Sequence, residues 1–316
     1  MISLSIHGKI LLITVLGLNA FANNIMKPPS RIALHIHFLF TQKVDGRLKI
    51  DMDNNNIQGE IIRVLEETEE NNIVKIPLAI ESGSRGWGFA SPDSDYDCRF
   101  VYVHEKNWYL SVFDKPDIIE YTVDKVFDIN GWDLRKFISH IVKSNAVMFE
   151  WLSSNEVYAK DEYVTNLLWD LAKRFFNPIA VSHHYLSIAK SKLSEVIEGE
   201  AAKLKNYFYI LRPIANLNFI YQYNMIPHIE YFPTLSKTKV PDDILSEIMN
   251  LRKIKSVSVE GYKIERNELL IEYFESEIEL FTNRLADMKY IKCKDYELAD
   301  ETFMKILEWV WTDEHK

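Results

Sequence analysis

Two short segments hold the residue types that could do chemistry. The first is Glu81-Ser82-Gly83-Ser84-Arg85-Gly86-Trp87-Gly88-Phe89, and the second, after ten residues following Ser84, is Asp95-Tyr96-Asp97. A glycine lets the backbone approach a phosphate closely, a serine adds a hydroxyl donor, and the N–H groups of such a turn form an anion cradle. Asp95 and Asp97 lie two apart, so on a strand both carboxylates point the same way. A divalent cation relieves their repulsion. Mg²⁺ prefers a couple of carboxylates with water and substrate phosphates to an all-protein cage, and Mn²⁺ can take its place. Cradle and carboxylate pair together describe a site for metal-assisted nucleotidyl transfer. Alone, a Gly-Ser is usually a loop and an Asp-x-Asp a solvated turn. Their order, between two strand-like runs, lifts the combination above either part.

The surrounding pattern supplies the elements that must hold these residues. Ile57, Ile61, Val64 and Leu65 fall among charges at helical spacing, which predicts an amphipathic helix over 57–70. A β-rich run over 73–81 ends abruptly at the Gly-Ser turn, and Pro77 places that strand's start or an edge there. A second strand is predicted over 95–103 and a third over 118–128. Asp133 then precedes Leu134, Phe137, Ile138, Ile141 and Val142, one buried helix face. Beyond about residue 160 helical patterns dominate, over 162–176, 180–197, 200–223, 265–291 and 297–311. Three prolines make 226–241 a loop. The expected class is α+β: a small mixed-sheet domain over 52–158, followed by an α-helical domain over 159–316.

This arrangement resembles the nucleotidyltransferase superfamily typified by DNA polymerase beta. Glu81 to Phe89 with Asp93-Ser94-Asp95-Tyr96-Asp97, Gly131-Trp132-Asp133-Leu134-Arg135-Lys136 and Glu150-Trp151-Leu152-Ser153 is similar to the family called RNA repair pathway DNA polymerase beta. The resemblance runs from about Met52 to the C-terminus. It implies a polymerase-beta-like catalytic fold in which Gly83 and Ser84 hold the β,γ-phosphates of a nucleoside triphosphate. It also implies that Asp95 and Asp97 bind Mg²⁺, and that a third carboxylate on a neighbouring strand helps deprotonate and orient the attacking hydroxyl. Asp128 is the choice for that carboxylate. Asp133 is the reserve, because its place before a helix also fits an N-cap. Gly86 departs from the family pattern, where alanine is usual.

Other residues join the candidate set with blander readings beside them. Arg85 adjoins the cradle and could neutralise triphosphate, or form a surface ion pair. Arg99 shares the face of Asp95 and Asp97 and could hold those carboxylates in place. Lys205, Tyr209 and Arg212 at i, i+4 and i+7 form one helical stripe, either solvated or closing over the nucleotide. His183-His184 lacks a partner at zinc spacing. Trp151, Trp169, Trp309 and Trp311 read as core.

Composition bounds the partners. With 37 Lys+Arg against 46 Asp+Glu the net charge is −9, so nucleic acid can be met only by a local basic patch such as Lys190, Lys192, Lys203 and Lys205. Two cysteines, Cys98 and Cys293, exclude a disulfide framework. Residues 1–44 hold Lys9, Lys27, Arg31 and Lys43 and no acid; removing those four charges from −9 leaves −13 on residues 45–316. Lys9, the apolar run to Leu18 and Ala20-Phe21-Ala22 have the form of a signal peptide, too short to span a membrane. Residues 1–51 are read as a leader or as an extension upstream of a true start at Met52. For 52–316 the expectation is a cytoplasmic nucleotidyltransferase without a membrane. Its acceptor is an RNA end, in a repair pathway beside an RNA ligase, or else a protein or small-molecule hydroxyl. A nucleotide sensor without turnover on the same fold is the third reading.

Overall fold

The computed structural model describes residues 57–122, 127–289 and 291–312, together with a two-strand hairpin, Lys43–Val44 with Arg47–Leu48. Residues 1–51 form a unit apart from 52–316, and the signal-like stretch lies outside the described residues.

Helix α1 (Ile57–Asn72) buries Ile61, Val64, Leu65 and Thr68 along one face and leads into strand β1 (Val74–Glu81). A single helical turn, α2 (Gly83–Gly86), follows. Strand β2 (Tyr96–His104), the short helix α3 (Lys106–Tyr109) and the strands β3 (Ile118–Thr122) and β4 (Phe127–Asp133) come next. Helices α4 (Leu134–Val142) and α5 (Ala146–Leu152) precede strand β5 (Val157–Lys160). The five strands form one sheet in the order β3-β4-β2-β1-β5, with only β2 and β4 parallel.

Two details depart from the sequence expectation. The segment read as one strand over 118–128 is the hairpin β3/β4, so Asp128 is the second residue of β4 and not the end of a third strand. Pro77 lies inside β1, between two neighbours, rather than at a start or an edge. The missing N–H is absorbed by a register shift between Lys75 and Leu78, and the Pro77 carbonyl accepts from the Asp161 N–H at 2.7 Å.

The rest is helical: α6 (Glu162–Phe175), α7 (Pro178–Ile197), α8 (Leu204–Tyr223), α9 (Tyr231–Leu235), α10 (Asp242–Lys255), α11 (Glu268–Ala286) and α12 (Tyr296–Val310). The short helix α9 interrupts the expected loop, α10 is a further helix, and a small ribbon pairs Ala201–Lys203 with Lys263–Glu265. As read from sequence, the fold is α+β with a helical C-terminal part. Among the described residues no helix is long and apolar enough to cross a membrane.

Alternation along β2 decides where the site opens. Asp97, Arg99, Val101 and Val103 share one face. Val101 and Val103 are fully buried in the core they share with α4 through α8, while Asp97 and Arg99, nearer the strand's start, stay half-buried.

Candidate active site

Strand β1 ends at Glu81, and Gly83 turns the chain with φ +55°, a left-handed conformation that favours glycine. The close approach is as demanding as the dihedral. A Cβ on Gly83 would stand 1.7 Å from Asp97 Oδ2, so the turn lies directly against the carboxylate. Ser84, next in the turn, is buried and its Oγ has no hydrogen-bond partner, an unmet polar group. A Cβ on Gly86 would meet the Glu81 carbonyl oxygen at 2.5 Å, so an alanine there needs the turn to shift. Gly83→Ala should push Asp97 aside while paying the left-handed penalty. Displacement of about 1 Å at a reacting centre costs roughly 10²-fold, and a loss of that order in nucleotidyl transfer, with Gly88→Ala for comparison, checks it. Gly88 has φ +80° but nothing within 4 Å of its Cβ position, so it carries the backbone cost alone.

The parallel register of β2 and β4 places Asp97 opposite Asp128. Arg99 sits between them: Nη2 donates to Asp97 Oδ1 at 3.0 Å and to Asp128 Oδ2 at 2.7 Å, while Nη1 donates to the Cys98 and Asp128 carbonyls. Burial pushes the Asp97 carboxyl above its ordinary value; Arg99 pulls it down, and Asp95 and Asp128 push it up. Asp95 immediately precedes β2, and its backbone oxygen accepts from Arg85 Nε at 3.1 Å. Arg85 also donates to the Ser94 carbonyl and lies 3.8 Å from the Tyr96 ring centre, so its guanidinium braces the loop leading to the carboxylates. Asp133 is at the far end of β4, where it caps α4 by accepting from the Arg135 N–H at 2.8 Å and takes the Tyr109 hydroxyl.

Glu81, Tyr158, Trp87 and Glu150 had no role assigned from sequence. Glu81 is buried, accepts from the Asp97 N–H at 2.9 Å and takes the Tyr158 hydroxyl. Burial raises its pKa to about 7 against those two bonds. A folded value above the unfolded one means that stability is fully present below about pH 4.5 and is lost as pH rises through 7. Glu81→Gln keeps an acceptor for Asp97 and removes the titration. The wild type should therefore lose on the order of 3 kcal/mol relative to E81Q between pH 4.5 and 8, read as denaturation midpoints across pH.

The helical stripe is divided between several tasks. Arg212 is buried, paired with the buried Glu150, and its guanidinium carbon lies 4.2 Å from the Trp87 ring centre. Tyr185 donates to Glu150 Oε1 at 2.8 Å, and His184, whose pKa burial lowers, lies within reach of both charges. Tyr209 packs edge-on against Trp87 at 5.5 Å. Its pKa rises to about 12 through burial first and then Glu260, Asp97 and Asp95, which brings the stripe within electrostatic reach of the carboxylates. Pro213 has no N–H for the Tyr209 carbonyl, leaving that oxygen outside the helical ladder. Lys205 pairs with Glu260 at 2.9 Å. Lys255, buried on α10, reaches Ser91 Oγ at 3.0 Å and ties down the loop before Asp95. Trp151 is buried as expected, while Trp309 and Trp311 are half-buried with their indole N–H groups on Asp161 and the His104 carbonyl.

Among the described residues no three His, Cys, Asp or Glu side chains are grouped tightly enough to hold a metal by themselves. The Asp97 and Asp128 oxygens instead converge on one guanidinium nitrogen, where Arg99 stands in for a cation. Two hard oxygen donors beside an unpartnered Ser84 hydroxyl fit Mg²⁺ or Mn²⁺ held jointly with substrate phosphates.

The chain is similar to Uncharacterized protein YcgL of Bacillus subtilis (strain 168), 34% identical over 257 residues, covering 81% of this chain and 99% of that protein. Among solved structures it matches a nucleotidyltransferase-like protein from Exiguobacterium sibiricum 255-15 at 10% identity and a TM-score of 0.32, covering 79% of this chain and 90% of that one. Residues 57–305 match the family model described as RNA repair pathway DNA polymerase beta family, and the chain belongs to that family.

Proposed function

We propose that this protein is a Mg²⁺-dependent nucleotidyltransferase that moves a nucleoside monophosphate from a nucleoside triphosphate to an acceptor hydroxyl. The observation that carries it is the convergence of the Gly83 turn, the unpartnered Ser84 hydroxyl and the facing pair Asp97 and Asp128 at one end of β2. Gly83 and Ser84 receive the β,γ-phosphates, and Asp95, Asp97 and Asp128 hold the metal. The bound cation supplies charge neutralisation along the triphosphate. The acceptor oxygen bonds to the α-phosphorus as the bond to the β-phosphate oxygen breaks. Pyrophosphate leaves, and the hydroxyl proton passes to the Asp128 carboxylate. Tyr209 and Lys205 close over the nucleotide, whereas Arg85 and Arg212 act as positioning residues, on the Asp95 loop and on Trp87. The family name supports an RNA end as acceptor, in a repair pathway.

A nucleotide-binding module without turnover is favoured by one feature, the neutralisation of Asp97 and Asp128 by Arg99. Asp128→Ala separates the two. In an enzyme it lowers turnover at least tenfold while nucleotide still binds by calorimetry. In a module there is no turnover to lose, and binding barely changes.

A further inference from the structure

Ala201–Lys203 and Lys263–Glu265 pair antiparallel, and the register sets Lys203 directly opposite Lys263. Both lysines are exposed, and like charges facing each other across strands are destabilising. The ribbon is held firmly: Ala202 is buried, the Leu204 N–H donates to the Tyr262 carbonyl at 2.9 Å, and the Arg266 N–H to the Glu200 carbonyl at 3.1 Å. Local packing therefore fixes the two ammonium groups on one edge. They line a groove of about 550 Å³ with Lys192, Lys205 and Tyr209. Within it Lys192 is paired with Glu195, and Lys205 with Glu260 outside it. Tyr209 connects the groove to the Gly83 turn, because its ring packs edge-on against Trp87, which follows α2 directly. Glu195 and Glu198 also line the groove and answer two of its four lysines, so on a body carrying −13 the groove keeps a net positive edge at Lys203 and Lys263.

We infer that this groove seats the phosphodiester backbone of a single-stranded polynucleotide acceptor, with Lys203 and Lys263 contacting successive phosphates and its terminal hydroxyl delivered to the carboxylates. A flexible backbone with one charge per nucleotide suits a lysine-lined track flanked by an aromatic ring. The inference rests on the nucleotidyltransferase reading and adds the acceptor's path and the residues that hold it.

The test uses the full chain, a fluorescein-labelled single-stranded RNA and its DNA counterpart. Fluorescence anisotropy is measured across salt for wild type, Lys203→Glu/Lys263→Glu and the milder Lys203→Gln/Lys263→Gln. Calorimetry with Mg·ATP is run on each. Loss of two phosphate contacts should flatten the slope of log K against log salt by about 1.4 and weaken binding about tenfold in the charge reversal, less in the glutamine pair. Mg·ATP affinity should stay within twofold of wild type. Preference for RNA over DNA, or equal binding, identifies the source of the backbone. Oligonucleotide binding that is absent from wild type, or unchanged in both variants, overturns the groove. Absence of Mg·ATP binding by wild type defeats the underlying reading, and the separate assay shows which has failed.

Discussion

Asp97→Asn should lower nucleotidyl transfer by about 10³-fold or more while leaving the fold as stable as before or more so. The carboxylate faces Asp128, touches the Gly83 turn and shares Arg99, so a neutral amide removes the charge that would meet the metal without changing the side chain's shape. A metal's electrostatic contribution of several kcal/mol corresponds to at least three powers of ten. Stability moves the other way. Burial, Asp95 and Asp128 all push the Asp97 carboxyl up, so its ionisation at neutral pH opposes folding, offset by the bond from Arg99. A raised folded value contributes stability at low pH that is lost as pH rises through it, and asparagine is insensitive to that loss. Rate measurements beside melting curves at pH 8 check both halves. A parallel fall in activity and stability would assign Asp97 to architecture instead.

The second large effect is on stability. Arg212→Ala should destabilise the protein by about 3–5 kcal/mol, because it leaves the buried Glu150 carboxylate without its cation. Replacing both partners, as Arg212→Met with Glu150→Met, should recover most of that loss, since a buried ion pair exchanged for apolar side chains is often neutral. Chemical denaturation of Arg212→Met, Glu150→Met and the double variant measures the cycle. The double variant also reports on the turn. Trp87 follows α2 immediately and its carbonyl accepts from the Tyr231 N–H at 3.0 Å, so removing the guanidinium from its ring loosens one side of the phosphate cradle. A raised KM for nucleotide with recovered stability is the expected result.

The contrast between Asp97 and Arg212 shows what could be read from sequence. The cradle and the carboxylates are local: Gly83, Ser84, Asp95 and Asp97 lie within one strand–turn–strand unit, and residue type and spacing alone bring them together. The third carboxylate depended on register. A continuous β-rich run over 118–128 conceals a hairpin, and only its pairing sets Asp128 rather than Asp133 opposite Asp97. Arg99 was legible as sharing a face with the carboxylates but not as the cation between them. Pairs such as Arg212 with Glu150 and Trp87, or Glu81 with Tyr158, join residues far apart in the chain, and no periodicity encodes them. The stripe Lys205, Tyr209, Arg212 lies on one helix as read, but its members meet different environments, because Arg212 is buried while Lys205 and Tyr209 are half-buried. The three-residue strands that set Lys203 against Lys263 are too short to announce themselves.

Transfer of α-phosphate-labelled nucleotides by the full chain decides whether this protein is a nucleotidyltransferase. The four NTPs and four dNTPs are offered in turn, with Mg²⁺, to a mixture of RNA 3′ ends and total cell protein, beside an Asp95→Ala/Asp97→Ala control. Label on RNA that disappears in the control is the expected result. No covalent label on any acceptor, from a protein that binds Mg·NTP, would contradict it.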